Sequence, residues 1–456
     1  MKDDPRIARE PASIQSPELA WLDSLQASGI RPGLSRVRSL LRHAGNPHRQ
    51  YPSLIVAGTN GKGSVSANLA SILSASGYKV GLYTSPHLVE LRERWLIGGV
   101  PVGMATLIDA IVELERCAAR AGFAPTYFEA LTVVAFILFA RTNCDAVVLE
   151  VGMGGRLDAT NVVKPVASVI TPISLDHTEF LGDTVTKVAR EKAGVIHPGS
   201  VVLTSNSSRE IVDVLRRKAL KVKAPFHLAS EQTSVSDLSL AEGRTAFRLV
   251  TAHASYAISS ALAGAHQVSN LTLAVRTAEE LASRFDRITV ASITRGIEET
   301  KWRGRFERFA IAGRSIFVDG AHNVSAAEAI VPSIEQLVVR PRTLVFGIMA
   351  DKDVESVARI LFPHFDRLIL TIPYAPRAAS LEDLTAIAGS MGISASSEEN
   401  PDEAFEVALA GGSGSIVICG SLYLAGAAIA FLDARRATPN EAMSVSSDSE
   451  NATPTA

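Results

Sequence analysis

The residues Gly58-Thr59-Asn60-Gly61-Lys62-Gly63-Ser64 stand between an apolar run, SLIVA, and a helical pattern, SVSANLASILSAS. Glycines in that setting let backbone N–H groups approach phosphate oxygens. A helix N-terminus adds positive potential, and Lys62 supplies a mobile cation. Triphosphate binding is the chemistry this order of residues suits. The spacing departs from the usual P-loop, because only two residues separate Gly58 from Gly61 and Gly63 intervenes between Lys62 and Ser64.

Further candidates follow along the chain. Asp145 to Glu150 is an apolar strand pattern ending in a carboxylate, and the glycine-rich VGMGGRLDATN comes next. An acid at a strand's C-terminal end beside a phosphate loop is well placed to hold Mg²⁺, a hard cation that prefers oxygen ligands. His177 follows another apolar strand pattern and should emerge at the same edge. On its own it reads as a structural hydrogen-bonder, and Lys192 as a solvated helix lysine. Thr126-Tyr127-Phe128-Glu129 has the S/T-x-x-E spacing of a capping box, and its two aromatic rings suit a flat heterocycle. Asp319-Gly320-Ala321-His322-Asn323 and Cys419-Gly420-Ser421-Leu422-Tyr423 each close a strand pattern and open a helix, serving equally as helix caps or ligand sites.

These residues need a scaffold that presents them at one edge. From Leu54 onward short β-rich runs alternate with helical patterns, which predicts an α/β fold with a doubly wound, mainly parallel sheet. Ligands then belong at the strand C-terminal ends. Between about Phe226 and Ile258 the pattern shifts to polar-interrupted segments, expected to be antiparallel strands and hairpins. The alternation restarts after KWRGRFE, so a second, smaller α/β domain is expected. The boundaries are residues 1–302 for the first domain and 303–437 for the second, with a disordered, Ser- and Pro-rich tail at 438–456.

Bulk properties bound the rest. At 456 residues the chain suits two or three units at ~150 residues each. Lys plus Arg (45) nearly balance Asp plus Glu (47), so a broad nucleic-acid-binding surface is not expected. Cys117, Cys144 and Cys419 lack a CxxC spacing and read as buried thiols. The run from Leu131 to Ala140 is about half the ~20 residues of a membrane span, and no apolar signal segment opens the chain; a cytoplasmic location and no membrane partner follow.

Taken together, GTNGKGS (58–64), YTSPHL (83–88), TYFEALT (126–132), LEVGMGGRLDATN (149–161), LDHTEFLG (175–182), EKAGVI (191–196), GRFE (304–307), DGAHN (319–323) and GSLY (420–423) resemble, in order, the folylpolyglutamate synthase and dihydrofolate synthase family of the Mur ligase superfamily. The resemblance implies an N-terminal P-loop-type ATPase domain, a C-terminal Rossmann-like domain, and an active site between them. It implies that Thr59, Asn60, Gly61, Lys62, Gly63 and Ser64 cradle ATP, with Asn270, Arg305 and Asp319 contacting it. Ser85, Glu150 and His177 correspond to magnesium ligands for two ions, and Lys192 to a carbamylated lysine beside them. Thr126, Tyr127, Phe128, Glu129, Leu157, Asp158 and Ala159 correspond to the pterin site, and His322 and Ser421 to the glutamate site. Lys62, Lys192 and His322 are the implied catalytic residues. The expected reaction is ATP-dependent joining of L-glutamate to dihydropteroate and to the γ-carboxylate of reduced folates, through an acyl phosphate, by a monomer. The competing expectations are a folylpolyglutamate synthase alone and an unrelated P-loop NTPase switch.

Overall fold

The computed structural model describes residues 16–29, 31–241, 243–311 and 313–437. The tail expected to be disordered, 438–456, lies outside the described residues.

The first part of the chain contributes β1 (Ser53–Ala57), β2 (Val80–Tyr83), β3 (Trp95–Ile97), β4 (Val100–Pro101), β5 (Ala146–Glu150), β6 (Ala167–Ile170), β7 (Val201–Thr204) and β8 (Phe226–Leu228). They form one sheet in the order β4-β3-β2-β5-β1-β6-β7-β8. All pairings are parallel except those of β2 with β3 and β3 with β4. The central strands are almost wholly apolar because helices cover both faces. Leu54, Val56 and Val148 pack against the helices Lys62–Ala75 and Gln267–Leu281, whereas Val147 and Leu149 pack against Met104–Ala121 and Tyr127–Arg141. The last of these helices is buried on all sides from Glu129 to Phe139, so the apolar run is core. No helix among the described residues is long and apolar enough to cross a membrane. The three cysteines are free and buried.

The segment after Phe226 behaves differently from the expectation. Phe226–Leu228 joins the main sheet in parallel, Val202 opposite Phe226, because the preceding helix Arg209–Val222 returns the chain as a crossover. The antiparallel pattern begins only afterwards, with β9 (Ser234–Ala241), β10 (Arg244–Val250) and β11 (Ser255–Ser260) in a sheet of their own. Its Phe247, Leu249, Tyr256 and Ile258 bury against the Gln267–Leu281 helix. A polar clasp ties the two together: Glu279 accepts from Thr251 Oγ1 at 2.6 Å, Tyr256 Oη at 2.9 Å and Arg276 Nη1 at 2.5 Å.

The second sheet comprises β12 (Glu307–Ile311), β13 (Arg314–Val318), β14 (Arg342–Phe346), β15 (Arg367–Thr371), β16 (Ala395–Glu398) and β17 (Ser415–Cys419), in the order β12-β13-β17-β14-β15-β16. Only β12 runs antiparallel to its neighbour. Helices again cover both faces. Both sheets thus turn a row of strand C-termini outward, carrying Gly58, Ser85 and Asp176 on one sheet and Asp319 and Gly420 on the other.

The Glu279 clasp is almost dry, its side chain 4% and that of Arg276 5% exposed. Removing one member leaves a buried charge with only the more distant Glu280, at 3.6 Å. Glu279→Ala should therefore destabilise the fold by about 3 kcal/mol, read as a lower urea midpoint; an unchanged midpoint contradicts the clasp's role.

Candidate active site

One cavity runs between the two rows of strand ends, and it gathers most of the residues singled out above. Thr59 to Ser64, Ser85, Glu150, His177, Lys192 and Asn270 line it from the first sheet's side, and Arg305, Asp319 and His322 from the second.

The loop after β1 is shaped by close approaches. Gly61, in left-handed conformation at φ 84°, starts the Lys62–Ala75 helix, and a Cβ there would collide with the Asn270 side chain. A Cβ on Gly63 would lie 2.8 Å from the Trp302 indole nitrogen, so the unusual glycine before Ser64 is where the indole packs against the helix. Gly61 and Gly63 therefore let the Asn270 and Trp302 side chains close against a loop that lines the cavity.

Two lysines converge on this loop. Lys62 Nζ donates to Thr59 O at 3.0 Å, and Lys192 Nζ donates to Gly58 O at 2.6 Å. Lys192 is 4% exposed, not solvated as helix lysines usually are. Burial and then the charge of Lys62 bring its ammonium down to about 7, against the opposing pull of Asp176 and Asp158. Glu150 is the buried carboxylate opposite. Burial raises its carboxyl group, while Lys62 and the Ser85 N–H, 3.2 Å from Oε2, pull it back. His177 sits in left-handed backbone at φ 50°; partial burial lowers its imidazole while the neighbouring Asp176 raises it.

The second sheet meets this wall through polar bonds. Asn60 and Asn323 exchange amide hydrogen bonds at 3.0 Å in both directions. Asp176 receives Lys352 Nζ at 2.7 Å and Asn323 Nδ2 at 3.2 Å, with His322 Nε2 at 3.8 Å. Burial alone would raise the Asp176 carboxyl; His177, Lys352 and His322 reverse this and hold it well below the usual carboxylate range. The pair is nearly dry, Lys352 9% and Asp176 10% exposed. Asp176 and Lys352 are not among the residues the sequence singles out, whereas Asn323 closes the Asp319–Asn323 segment and caps the Val324–Leu337 helix. Strand-end placement could have found Lys352, which follows β14 as Asp176 follows β6.

His322 Nδ1 lies 2.7 Å from Gly320 O, which can only accept, so Nδ1 carries the proton. Burial, then Lys352, lower the imidazole, against the Gly320 carbonyl and Asp176, and Nε2 is left without a hydrogen bond to the protein among the described residues. Asp319 braces the wall by accepting from Phe306 N at 2.8 Å and Ala321 N at 2.7 Å.

Other expected residues sit outside the cavity lining. Thr126 and Glu129 form the predicted capping box, and Glu129 also takes Arg36 Nε at 3.1 Å. Phe128 closes over Gly152, which does line the cavity. Asp158 binds the N–H groups of Met153 and Thr160, both at 3.0 Å, fixing the glycine-rich loop; Leu157 is exposed and Ala159 buried. Tyr127 lies with its ring 6.0 Å from the Arg94 guanidinium. Ser421 is buried, and its hydroxyl accepts from Leu424 N at 3.0 Å, capping the Leu422–Ala437 helix.

The sequence matches the Mur ligase middle domain over residues 56–278 and the Mur ligase glutamate ligase domain over residues 304–422. It is 31% identical to the Bacillus subtilis dihydrofolate synthase/folylpolyglutamate synthase over 89% of this chain and 96% of that protein. The chain belongs to this family of Mur ligases. It also matches a Halobacterium salinarum probable bifunctional folylpolyglutamate synthase/dihydropteroate synthase at 35% identity over 88% of this chain, spanning 50% of that longer protein. The Mycobacterium tuberculosis folylpolyglutamate synthase complexed with ADP and AMPPCP superposes with a TM-score of 0.84 at 32% identity, covering 91% of this chain and 99% of that one. E. coli FolC in complex with DHPP and ADP superposes with a TM-score of 0.81 at 30% identity, covering 92% and 99%. Gly58 to Ser64 line one wall of the cleft, and Asp319 to His322, just after β13, line the opposite one.

Lys352→Met should lower kcat for ligation by at least about tenfold, because it loosens the bridge that orients the second wall. KM for ATP should stay within about threefold, since the phosphate loop is untouched. Steady-state kinetics with ATP as varied substrate check this; an unchanged kcat contradicts the bridge.

Proposed function

We propose that this Mur ligase adds L-glutamate to dihydropteroate, giving dihydrofolate, and to the γ-carboxylate of reduced folates, at the expense of ATP and as a monomer. The observation that carries the reading is the two-sided cleft, in which a phosphate loop with two lysines faces His322, its Nδ1 committed to Gly320 O. All of its walls come from one chain.

A carboxylate is a poor acyl donor. Its oxygen attacks the γ-phosphorus of ATP, the bond to ADP breaks, and a mixed acyl phosphate forms. The N–H groups of Gly61 to Ser64 and the Lys62 ammonium balance charge on the transferring group. Neutral His322 accepts a proton at Nε2 from the glutamate ammonium, freeing the amine to attack the acyl carbon. The tetrahedral species collapses to the amide and inorganic phosphate. Ser421 acts indirectly, by capping the helix whose Leu422 lines the cleft. Closure of the Asn60–Asn323 and Asp176–Lys352 contacts keeps water from the acyl phosphate.

Among the described residues no three His, Cys, Asp or Glu side chains form a metal cluster. The donors present still suit magnesium, which needs only one or two protein oxygens beside phosphate oxygens and water. Glu150, His177 and Ser85 would hold up to two ions, which neutralise the phosphates when bound. A carbamate on Lys192 would add an anionic donor. Its amine, brought to about 7, is neutral often enough to take up CO₂, and the dry site protects the product.

The pterin ring is assigned to the groove beside Phe128, Tyr127 and the Leu157 to Ala159 turn, supported by the Phe128 ring over Gly152. The commitment of Thr126 and Glu129 to a cap and to Arg36 favours the narrower reading, a folylpolyglutamate synthase alone. The segment around Gly29 to Pro32, which bears on the same choice, includes residue 30, outside the described residues.

Labelled glutamate and ATP, offered separately with dihydropteroate and with tetrahydrofolate, should yield a glutamylated product and stoichiometric ADP with each. Product with tetrahydrofolate alone selects the narrower reading, and ATP hydrolysis without any amide rejects both. For the carbamate, activity at fixed dissolved CO₂ should fall as pH drops through about 7, since protonation removes the reactive amine. Lys192→Ala should lose at least about a hundredfold; full activity in that variant, with no added CO₂ mass on the native chain, contradicts it.

A further inference from the structure

The edge of the eight-stranded sheet opposite the nucleotide loop carries a second polar groove. His48 and Arg49 lie just before β1, and Val162 just before β6, so this is the edge of strand N-termini. Arg38 and Arg42, one turn apart on the helix Ser35–His43, complete it with Ser35 and Asn46, around a volume of about 360 Å³.

Two features set this groove apart from an ordinary solvated surface. Its lining holds three arginines and no acid, and among the described residues none of the Arg38, Arg42 and Arg49 guanidinium groups meets a carboxylate. Three like charges that converge without a counter-ion repel one another, and an anion between them removes that cost. The second feature is independent. His48 is 7% exposed, its ring packed 5.7 Å from Phe136, yet its Nδ1 has no hydrogen-bond partner. A buried ring nitrogen left unpaired costs free energy unless a ligand or water reaches it. Burial first, then Arg49 and Arg38, depress this imidazole, which reports the same uncompensated positive field.

The lining also narrows the ligand. Guanidinium forks match the paired oxygens of phosphates and carboxylates. Val162 is the one apolar lining residue and the groove holds no Phe, Tyr or Trp, so no broad ring face is offered to a base or a pterin. The volume lies within the range of small-ligand sites, about 300–1,000 Å³. We propose that the groove formed by Arg38, Arg42, Arg49 and His48 is a binding site for a small multivalent oxyanion, separate from the nucleotide cleft. Val162 ends the short helical turn Ala159–Val162, whose Asn161 Nδ2 holds Arg156 O at 3.1 Å, so the groove abuts the chain that leads from the glycine-rich loop.

The test uses the full chain with saturating AMPPCP, so that the phosphate loop does not compete for the probe. Calorimetric titration with pyrophosphate should show saturable binding, weakened at least roughly tenfold in Arg38→Ala/Arg42→Ala, since each charged hydrogen bond lost costs about that factor. The His48 ring resonances should move with pyrophosphate in the native chain and stay still in the variant. Glutamate ligation without added pyrophosphate should be the same in both chains, which shows that the variant folds. A parallel titration with tri-γ-glutamate distinguishes the source. Competition with pyrophosphate points to a polycarboxylate tail, and no competition to a phosphate compound. Binding that does not saturate, or equal affinity in the native and variant chains, overturns the proposal.

Discussion

Two ammonium groups share one short stretch of backbone: Lys192 on the carbonyl of Gly58 and Lys62 on that of Thr59. Neither is free in water, and the charge of Lys62 raises the cost of a charge on Lys192. The loop can keep both only because Glu150 and Asp176 face them and because a polyanion belongs between them. The glycines follow from the same constraint, since Asn270 and Trp302 press against Gly61 and Gly63 while the outer face stays clear for phosphate oxygens. The depressed Lys192 follows too, because it is the deeper of the two cations and the one with least water.

The second sheet completes that electrostatic arrangement. Asp176 stands next to His177 on the loop after β6 and holds Lys352 and Asn323 from the opposite side. Nearly dry and paired with the Lys352 ammonium, its carboxylate is a strong contact between the walls, and the reciprocal Asn60–Asn323 amide pair fixes the register of their approach. Under the proposed mechanism, whatever enters the phosphate loop is presented to Nε2 of His322 from a defined direction. This is how an activation step on one sheet and an amine attack from the other share one water-poor space.

Much of this could be read from the chain. The phosphate loop is a local object, so glycine, lysine and hydroxyl spacing suffice. β1, β5 and β6 declare themselves because both faces are buried and all but Ser53, Glu150 and Ser168 are apolar. The capping box at Thr126 is equally local. Three-residue β8 was misjudged as antiparallel because so short a run has no period, and its direction is set by the crossover helix before it. The burial of Lys192 was illegible, since its helix is amphipathic and a terminal lysine normally reaches water; only the packing of the loop over it excludes solvent. Least legible was Asp176 with Lys352. The two lie 176 residues apart on loops without a repeating pattern, and only the juxtaposition of two sheet edges joins them.

The central claim is that this cleft activates a carboxylate by phosphorylating it before the amine arrives. An acceptor carrying ¹⁸O in its carboxylate tests that directly, with the inorganic phosphate released during ligation read by mass spectrometry. The account predicts that each amide formed transfers one carboxylate ¹⁸O to phosphate, because the bridging oxygen of the acyl phosphate leaves with phosphorus. Phosphate free of the label, with amide formed at the normal rate, would contradict it.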